Sequence, residues 1–310
     1  MQQIDALFIG SSTKDLLMQV EEPPASDHRI AASSFTVACG GVSATAAAAY
    51  QSLGGSTGVI TAVGDDETGE FIRKDLKKLY LDYLKLYTYS NRPSSLSMIQ
   101  VEPNGKRCLT CFGGCIDSLT FEEIDKELLH RIRILHLGVL APETMFELCR
   151  YCKEHTSAKI SIDGGNLPRS VAERVLPFAD FFIPDHKTAM ATLGLDPESA
   201  CRWYVEHGAR VSCVTAAEKG SWAYDGYRLF HADTIPVQIL DTTGAGDNFH
   251  GAFLYCINHG WGLEFALRFS NIFASLTCRE LGGRAAIPSR ETVLALYRSE
   301  NSHSCSPASR

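Results

Sequence analysis

The sequence lacks any block of lysine and arginine residues. Its 310 residues include 29 Lys and Arg against 36 Asp and Glu, which gives a formal net charge of −7. Surfaces that bind nucleic acid in general are basic, so this balance argues against a nucleic-acid partner. No segment approaches the ~18 consecutive apolar residues that a membrane-spanning helix needs, so we expect no membrane association. The opening MQQIDALFIGSST has neither the basic region nor the apolar run of a secretory signal, and we expect a cytoplasmic protein.

The eleven cysteines allow two interpretations. In one, Cys108 and Cys111 join Cys149 and Cys152 as zinc ligands, because C-x2-C is a common ligand spacing. In the other, the first pair lies in a strand whose odd spacing points the two thiols to opposite faces, and the second pair lies in a helix among apolar residues. Nothing in the sequence brings the two pairs together. We therefore favour free structural thiols, and without a secretory signal we expect no disulfides.

Short apolar segments alternate with helical segments along most of the chain. The clearest strand segments are DALFIG, GGSTGVITAVG, RIRILHLGVL and AKISIDGG. The alternation predicts an α/β fold with a doubly wound, mainly parallel sheet flanked by helices. We expect one domain over residues 1–298 and a disordered polar tail over residues 299–310.

Two segments break the alternation. Residues 29–39 and 94–114 have β-type patterns with no helix between their strands, and the second contains a turn at Pro103–Asn104–Gly105. They fit poorly into a parallel order. We expect them to form a small antiparallel β lid over one edge of the sheet, within segments of about 12–40 and 92–115.

The segment DTTGAGDNFHGAF, residues 241–253, carries the strongest chemical signal. A strand, a glycine loop and a helix in this order place the N–H groups of Gly244, Ala245 and Gly246 at a helix N-terminus. Such a loop suits a phosphoryl group that gains negative charge during transfer. Asp247 is then placed to take a proton from an attacking hydroxyl. Spacing alone leaves open a tight strand–helix turn in which Asp247 is only a helix-end acid.

These segments together resemble the ribokinase-like sugar kinases, the PfkB family. DTTGAGD is similar to the family signature D-T-x-G-A-G-D, and CGGVSATAA to its N-terminal G-G-x-x-x-N-x-A element. GDDETGE resembles the family turn G-D-D-x-x-G-E, and IGSSTKD its first strand with a substrate-binding Asp. VTAAEKGSWAY resembles the strand and glycine turn on the nucleotide side. The matches keep the family's order and spacing from residue 4 to about residue 290.

The resemblance implies a ribokinase-like fold and ATP-dependent phosphorylation of a hydroxymethyl group on a small sugar, with Mg²⁺ and, as in some relatives, a monovalent cation such as K⁺. Asp247 is the implied general base, and the amides of Gly244, Ala245 and Gly246 form the implied anion hole. The residues implied to meet the sugar are Asp15, Gly40, Gly41, Thr45, Asp163, Asn166 and Arg169. The residues implied on the ATP side are Thr215, Glu218, Gly220, Asp241, Thr243 and Asn271. A homodimer through the lid is also implied, because an exposed sheet edge invites pairing.

Departures from the family pattern concern the substrate and the metal. Thr45 stands where the family usually has Asn, which replaces an amide by a hydroxyl. The family's N-x-x-E motif, which helps hold Mg²⁺ through water, falls at Asp185 and Thr188. The metal would then rely on Asp185, on Glu218 or on the phosphates themselves, or it would bind weakly.

Two further segments bear on the choice of sugar. DGGNLPR resembles the D-x-N-x-R element of ketose kinases with a one-residue displacement, and the GGxxAT pattern with LGGRAAIP is similar to the branch that contains sulfofructose kinase. We expect a ketohexose or a pentose. An anionic derivative, met by Arg107 and Arg29, stays open.

Two other functions remain as alternatives. A nucleoside kinase of the same fold would need an aromatic clamp for the base, and the lid strands carry Phe35 and Phe112 without an evident stacking pair. A catalytically weak, sugar-sensing regulatory protein would explain the altered N-x-x-E motif. The retained GAGD sequence argues against this regulator, because a protein that only binds sugar needs no base there.

Overall fold

The computed structural model describes residues 3–303, with side chains up to residue 299. Strands of this range form one nine-stranded and one four-stranded sheet. In chain order the strands are β1 Ile4–Ile9, β2 Thr13–Gln19, β3 Ser34–Gly40, β4 Thr57–Gly64, β5 Tyr83–Tyr89, β6 Leu96–Val101, β7 Arg107–Phe112, β8 Ile132–Leu137, β9 Lys159–Asp163, β10 Phe181–Ile183, β11 Val211–Thr215, β12 Ser221–Tyr224 and β13 Leu229–Ala232.

The nine-stranded sheet has the order β13-β12-β11-β10-β9-β8-β1-β4-β5. From β11 to β5 every neighbouring pair is parallel, and β12 and β13 add an antiparallel edge. The central strands β1 and β4 are buried along nearly their whole length, which explains why they read as continuous apolar runs rather than alternating patterns. The predicted doubly wound, mainly parallel α/β fold is confirmed.

Helices cover both faces of this sheet. In chain order they are α1 Val42–Ser52, α2 Glu67–Lys77, α3 Lys126–Leu129, α4 Pro142–His155, α5 Arg169–Val175, α6 His186–Leu193, α7 Pro197–Glu206, α8 Ala245–Asn258, α9 Leu263–Thr277 and α10 Arg290–His303. One apolar core contains side chains from α3 to α7, and a second contains side chains from α1, α8, α9 and α10. None of the helices within residues 3–303 is both long and apolar enough to cross a membrane.

Small residues bring α1 and α8 into close contact. α1 is alanine-rich, and a Cβ atom at Gly251 of α8 would lie only 2.2 Å from the Ala46 carbonyl oxygen. A larger residue at Gly251 would push the two helices apart. The contact therefore places the start of α8, and the glycine loop before it, beside α1.

The four-stranded sheet, hereafter the lid, has the order β3-β2-β6-β7. The outer pairs β2–β3 and β6–β7 are antiparallel as expected, whereas the central pair β2–β6 is parallel. The parallel pair follows from the chain path, because two helices and two strands of the large sheet intervene between β3 and β6, so β6 enters as a crossover strand. The predicted turn is confirmed: the Gly105 amide donates to Glu102 O at 2.9 Å with Gly105 at φ +76°.

The C-terminal segment differs from the expected disordered tail. α10 continues to His303, so residues 299–303 are helical. The physical reason is the apolar stripe of ETVLALYRSE: Val293 is fully buried, and Leu296 and Tyr297 pack against the second core. The rest of the predicted tail, residues 304–310, lies outside the described residues.

The cysteines of the described range have free thiols. Cys149 and Cys152 are fully buried in α4. Cys108 and Cys111 are exposed on β7, where their pairing with Gln100 and Ser97 puts them on opposite faces of the lid. Within residues 3–303 no group of three or more His, Cys, Asp and Glu side chains is arranged to hold a metal ion.

Candidate active site

Hydrogen bonds to the Asp241 carboxylate fix the loop before α8. This carboxylate is 1% exposed; its Oδ1 accepts hydrogen bonds from the Thr243 amide at 2.8 Å and the Thr243 hydroxyl at 2.7 Å, and its Oδ2 accepts one from the Gly282 amide at 2.8 Å. Asp241 and Thr243 therefore shape the loop. Their side chains face the protein interior.

Gly244 forms the cap of α8 in a conformation that only glycine adopts easily. Its φ is +71°, and an added Cβ would lie 2.7 Å from the Gly283 Cα. The Ala245 amide turns back to Thr242 O at 3.3 Å. Gly246 and Asp247 follow in the first turn of the helix, where N–H groups have no acceptor within the helix. The first turn thus offers backbone donors and the positive end of a helix dipole to an anion.

Asp247 lies in this first turn. The residue is partly exposed. Burial of its carboxyl raises its pKa well above the ordinary range. The charges of Asp163 and Asp15 raise the pKa further, while the charge of Arg107 lowers it. A carboxyl with a raised pKa is the stronger base once it is ionised, which suits proton abstraction from a hydroxyl.

Asp15 projects from the inner face of the lid. It is 3% exposed, and its Oδ1 accepts from the Thr13 hydroxyl at 2.7 Å. Burial raises its pKa, and hydrogen bonds from Thr13 and Ser97 oppose the rise. Gly40 makes room for this carboxylate, because a Cβ there would lie 2.1 Å from Asp15 Oδ2. The glycine and the acid thus form one unit of the lid.

Gly41 and Thr45 connect that unit to the glycine loop. Gly41 caps α1 at φ +93°, and a Cβ there would lie 2.5 Å from the Ser12 Cα. Thr45, one turn into α1, is 1% exposed, and its Cγ2 would lie 3.2 Å from a Cβ at Gly244. The structure therefore brings the predicted sugar-side residues Asp15, Gly40, Gly41 and Thr45 up to the loop.

Asp163 ends β9 on the face that meets α8. Its Oδ1 accepts from the Gly165 amide at 2.7 Å, and its Oδ2 lies 3.9 Å from Nδ1 of the buried His250. Burial raises the pKa of Asp163, and the His250 charge opposes the rise. His250 was missed by the sequence reasoning, although its spacing of three residues from Asp247 puts both on one helix face.

Asn166 and Arg169 do not join Asp163. Asn166 is left-handed at φ +56°, and its amide donates to the Thr188 hydroxyl at 2.8 Å. Arg169 pairs with Glu173 at 2.8 Å and lies over the Trp203 ring at 5.1 Å. In this structure the Arg169 side chain is therefore engaged by Glu173 and Trp203, and its contact with the substrate stays a prediction. Its side chain follows the solvent face of α5, since Arg169 and Glu173 are four residues apart on one helix.

Asp185, expected to meet the metal, lies with three of the residues expected on the nucleotide side. Asp185 and Thr215 form a β-bridge at the carboxyl ends of β10 and β11, and Asp185 Oδ1 caps α6 by accepting from the Thr188 amide at 2.7 Å. Glu218 is exposed in a short helical turn, and Gly220 follows at φ +81°, where a Cβ would lie 2.0 Å from Ala232 O. These four residues line one edge of the sheet beside the start of α6.

Asn271 is the exception in this group. It is 4% exposed; its amide donates to Ala232 O at 2.7 Å and to Asp233 O at 3.2 Å, and its Oδ1 accepts from the Ser221 hydroxyl at 3.1 Å. Its polar atoms are thus used to fasten α9 to β12 and β13. The expected position of Asn271 near the adenine stays a prediction.

The lid is docked onto the glycine loop. Arg107 Nη1 donates to Thr242 O at 2.8 Å, and the Thr242 hydroxyl donates to Gly105 O at 3.1 Å. Arg107 lies on the inner face, in register with Val101. These contacts explain why the charge of Arg107 acts on the pKa values of both Asp15 and Asp247. The lid and the loop enclose the two acids between them.

Comparison with known proteins shows the family of this chain. The pfkB family carbohydrate kinase model matches residues 3–290. The chain is similar to a ribokinase of Bacillus subtilis, with 27% identity over 296 residues that cover 92% of this chain and 96% of the relative.

Among solved structures, ribokinase from Thermotoga maritima superposes with a TM-score of 0.81 at 25% identity, covering 95% of this chain and 99% of the other. Ribokinase from Arabidopsis thaliana, complexed with ribose and ATP, superposes with a TM-score of 0.81 at 24% identity, covering 96% and 99%. Because the family model spans nearly the whole chain, this protein belongs to the pfkB family of carbohydrate kinases.

Proposed function

We propose that this kinase transfers the γ-phosphoryl group of ATP to a hydroxymethyl group of a pentose or ketohexose. The observation that carries the proposal is the position of Asp247. It is a carboxylate of raised pKa in the first turn of α8, beside free backbone donors and close enough to Asp15 for their charges to interact. A base, an anion site and a second acid for sugar hydroxyls are the groups that this reaction needs.

The proposed step is an in-line displacement. The sugar hydroxyl oxygen forms a bond to the γ-phosphorus, the bond from that phosphorus to the bridging oxygen breaks, and ADP leaves with the electron pair. The hydroxyl proton passes to Asp247. The amides at the start of α8, with the helix dipole behind them, stabilise the charge on the migrating phosphoryl group. We assign this role chiefly to Gly246, because the Ala245 amide is engaged with Thr242 O.

The acceptor side is assigned to the lid and α1. Asp15 accepts hydrogen bonds from two sugar hydroxyls, and Gly40 and Gly41 let the ring approach the backbone. Thr45 offers a hydroxyl where an amide is usual in the family. The relatives named for ribose, at 24 to 27% identity, make pentoses the first substrates to test.

ATP is assigned to the edge formed by Thr215, Glu218 and Gly220. Mg²⁺ prefers one or two carboxylates together with substrate phosphates and water. Asp185 fits this role, since one of its oxygens caps α6 and the other has no hydrogen bond within the described part of the chain. When bound there, Mg²⁺ would neutralise phosphate charge.

A monovalent cation beside Asp241 belongs to the same proposal. The Asp241 carboxylate is 1% exposed, and among the side chains described, up to residue 299, it forms no ion pair with a basic group. A buried charge without a counter-charge is costly, and K⁺ would supply one. The measurement is turnover in KCl against the same ionic strength of a tetramethylammonium salt, with faster turnover expected in KCl.

The test of function is ADP release over a panel of pentoses, ketohexoses, nucleosides and phosphorylated or sulfonated sugars. Turnover with one of the free sugars, and a product heavier by one phosphoryl group, would support the proposal. Preference for a nucleoside would move the chain to the nucleoside kinases. Tight sugar binding without turnover would identify a sugar-sensing protein and contradict the proposal.

We also propose that two copies pair through the outer face of the lid. Phe35 is 60% exposed, Phe112 53% and Met98 44%, and the strand register places all three on this face. Sedimentation velocity is expected to give twice the chain mass of 33.9 kDa, falling to one chain mass in Phe35→Glu. Tyr227→Glu, which changes a 96% exposed side chain in the turn between β12 and β13, serves as the control. A monomeric wild type would contradict the dimer.

We place the reaction in the cytoplasm. Ten free cysteines lie within the described residues, two of them exposed, and exposed thiols persist in reducing compartments. Fractionation that recovers the enzyme outside the cytoplasm would contradict this placement.

A further inference from the structure

The segment Leu281–Arg284, hereafter the 281–284 segment, contacts three separate parts of the candidate site. It follows α9 and precedes α10. Its first residue, Leu281, packs against the apolar cluster Leu17, Ile99 and Val101 on the inner face of the lid. The inner face of the lid therefore packs against a segment near the C-terminus.

The two glycines of the segment hold the glycine loop. The Gly282 amide donates to Asp241 Oδ2 at 2.8 Å. The Gly283 carbonyl accepts from Asn248 Nδ2 at 2.6 Å, and the same nitrogen donates to Gly244 O at 2.9 Å. Asn248 thus fastens the segment to the cap of α8. The loop that carries Asp247 is fixed relative to the 281–284 segment on both sides.

Arg284 extends the same segment to the acceptor side. Its Nε donates to Cys39 O at 2.9 Å, and its Nη2 forms an ion pair with Asp75 Oδ2 at 2.6 Å, with the Arg284 side chain only 11% exposed. Cys39 directly precedes Gly40 and Gly41. The guanidinium therefore holds the backbone that leads into the diglycine, and Asp75 of α2 fixes the direction of the guanidinium.

The charge of Arg284 also reaches Asp15. Burial raises the pKa of the Asp15 carboxyl, and two cations lower it, with Arg284 having a larger effect than Arg107. Loss of Arg284 would thus remove two supports of the acceptor side together: the anchor of the diglycine backbone and part of the field that keeps Asp15 ionised.

We propose that Arg284 is a positioning residue that fixes the sugar-binding side, Gly40, Gly41 and Asp15, to the loop that carries Asp247. The proposal rests on the proposed function, since it assigns these residues to the acceptor sugar. Loss of Arg284 is expected to weaken sugar binding and to leave ATP binding unchanged. A residue that only stabilises the fold would affect both.

The test compares Arg284→Met, which keeps the length of the side chain without its charge, with Arg284→Lys and with the control Arg290→Met. Arg290 is a neighbouring arginine that donates to the Tyr255 hydroxyl at 3.1 Å, away from the lid. In Arg284→Met the KM for the sugar is expected to rise about tenfold or more, with the KM for ATP within about twofold. Arg284→Lys keeps the charge and is expected to recover part of the sugar KM, whereas Arg290→Met leaves both KM values unchanged.

Equal increases in both KM values, or a sugar KM within about twofold of wild type in a folded Arg284→Met protein, would overturn the positioning role. If Arg284→Met fails to fold, Arg284→Lys and Asp75→Asn test the proposal instead. Both variants are expected to raise the KM for the sugar and to leave the KM for ATP unchanged. If neither does so, the proposal is overturned. The wild type separates the two proposals. If it neither phosphorylates nor binds any sugar, the proposed function fails and Arg284 loses its role with it; if it turns over sugar normally and the variants do too, only Arg284 is wrong.

Discussion

Two helices that begin at the same edge of the sheet use an aspartate in opposite ways. Asp185 stands before α6, and its carboxylate accepts from the Thr188 amide at 2.7 Å. α8 has Gly244 at the corresponding position, with no side chain to cap it, and Asp247 follows in its first turn with a raised pKa. One oxygen of the Asp185 carboxylate is used for structure, which leaves the other for the proposed metal. The Asp247 carboxylate does not cap its helix, and the start of α8 has no side-chain cap, so both are available for chemistry.

Asp247→Asn is expected to produce the largest effect. The side chain keeps its size and loses its basicity, so turnover is expected to fall by ~10³-fold, while ATP binding measured by calorimetry stays near wild type. The matched control is Asp185→Asn, which keeps a capping oxygen and is expected to lose far less turnover. Comparable losses in both variants would remove the distinction between the two helices.

Gly244→Ala is expected to produce the next largest effect. The new Cβ meets the Gly283 Cα at 2.7 Å with φ at +71°, so we expect about 2–3 kcal/mol less stability and ~10²-fold lower turnover from the displaced loop. Gly260→Ala is the control, since Gly260 has φ +73° and no heavy atom within 4 Å of the added Cβ. Chemical denaturation and turnover measure both variants. Equal destabilisation of the two variants would show that backbone strain alone, and not the contact with Gly283, lowers the stability of Gly244→Ala.

The pH dependence of kcat/KM sharpens the account of Asp247. Activity is expected to rise with pH as Asp247 ionises, at a pH above the ordinary carboxyl range because burial, and then the Asp163 charge, raises its pKa. Asp163→Asn removes that charge, so the acid side of the profile is expected to move to lower pH. A profile that moves to higher pH, or stays in place, would argue that Asp247 and Asp163 do not interact.

Asp185→Ala is expected to produce the smallest effect. The loss of a capping side chain costs ~1 kcal/mol of stability, and turnover is expected to fall only modestly because phosphate and water supply most metal ligands. Asp196→Ala, which removes the cap of α7, is the control for capping alone. A much larger turnover loss in Asp185→Ala than in the control would strengthen the metal role of Asp185.

Local patterns in the sequence predicted most of the fold and the glycine loop that leads into α8. The strand–glycine–helix order around Gly244 and Asp247 depends only on neighbouring residues, so it could be derived without tertiary information. The parallel pairing of β2 with β6 could not, because a period of two identifies strands and says nothing of their partners.

The contacts of three other residues could not be predicted from local patterns. Arg169 was assigned through a motif displaced by one residue, and one residue on a helix turns a side chain by about 100°. Asn271 lies at the expected place along α9, and only the packing shows that its amide is consumed by Ala232 O. Arg284 meets Asp75 across 209 positions of the chain, and no local pattern predicts such a contact.

The most direct test of the account measures stability and turnover of Asp247→Asn in one preparation. A carboxyl with a higher pKa in the folded than in the unfolded chain binds its proton more tightly in the folded chain, so the stability that it adds at low pH is lost as pH rises through the raised pKa. At neutral pH the substitution is therefore expected to increase the free energy of unfolding while turnover falls ~10³-fold. A variant that loses stability, or one that retains near-normal turnover, would contradict Asp247 as the base.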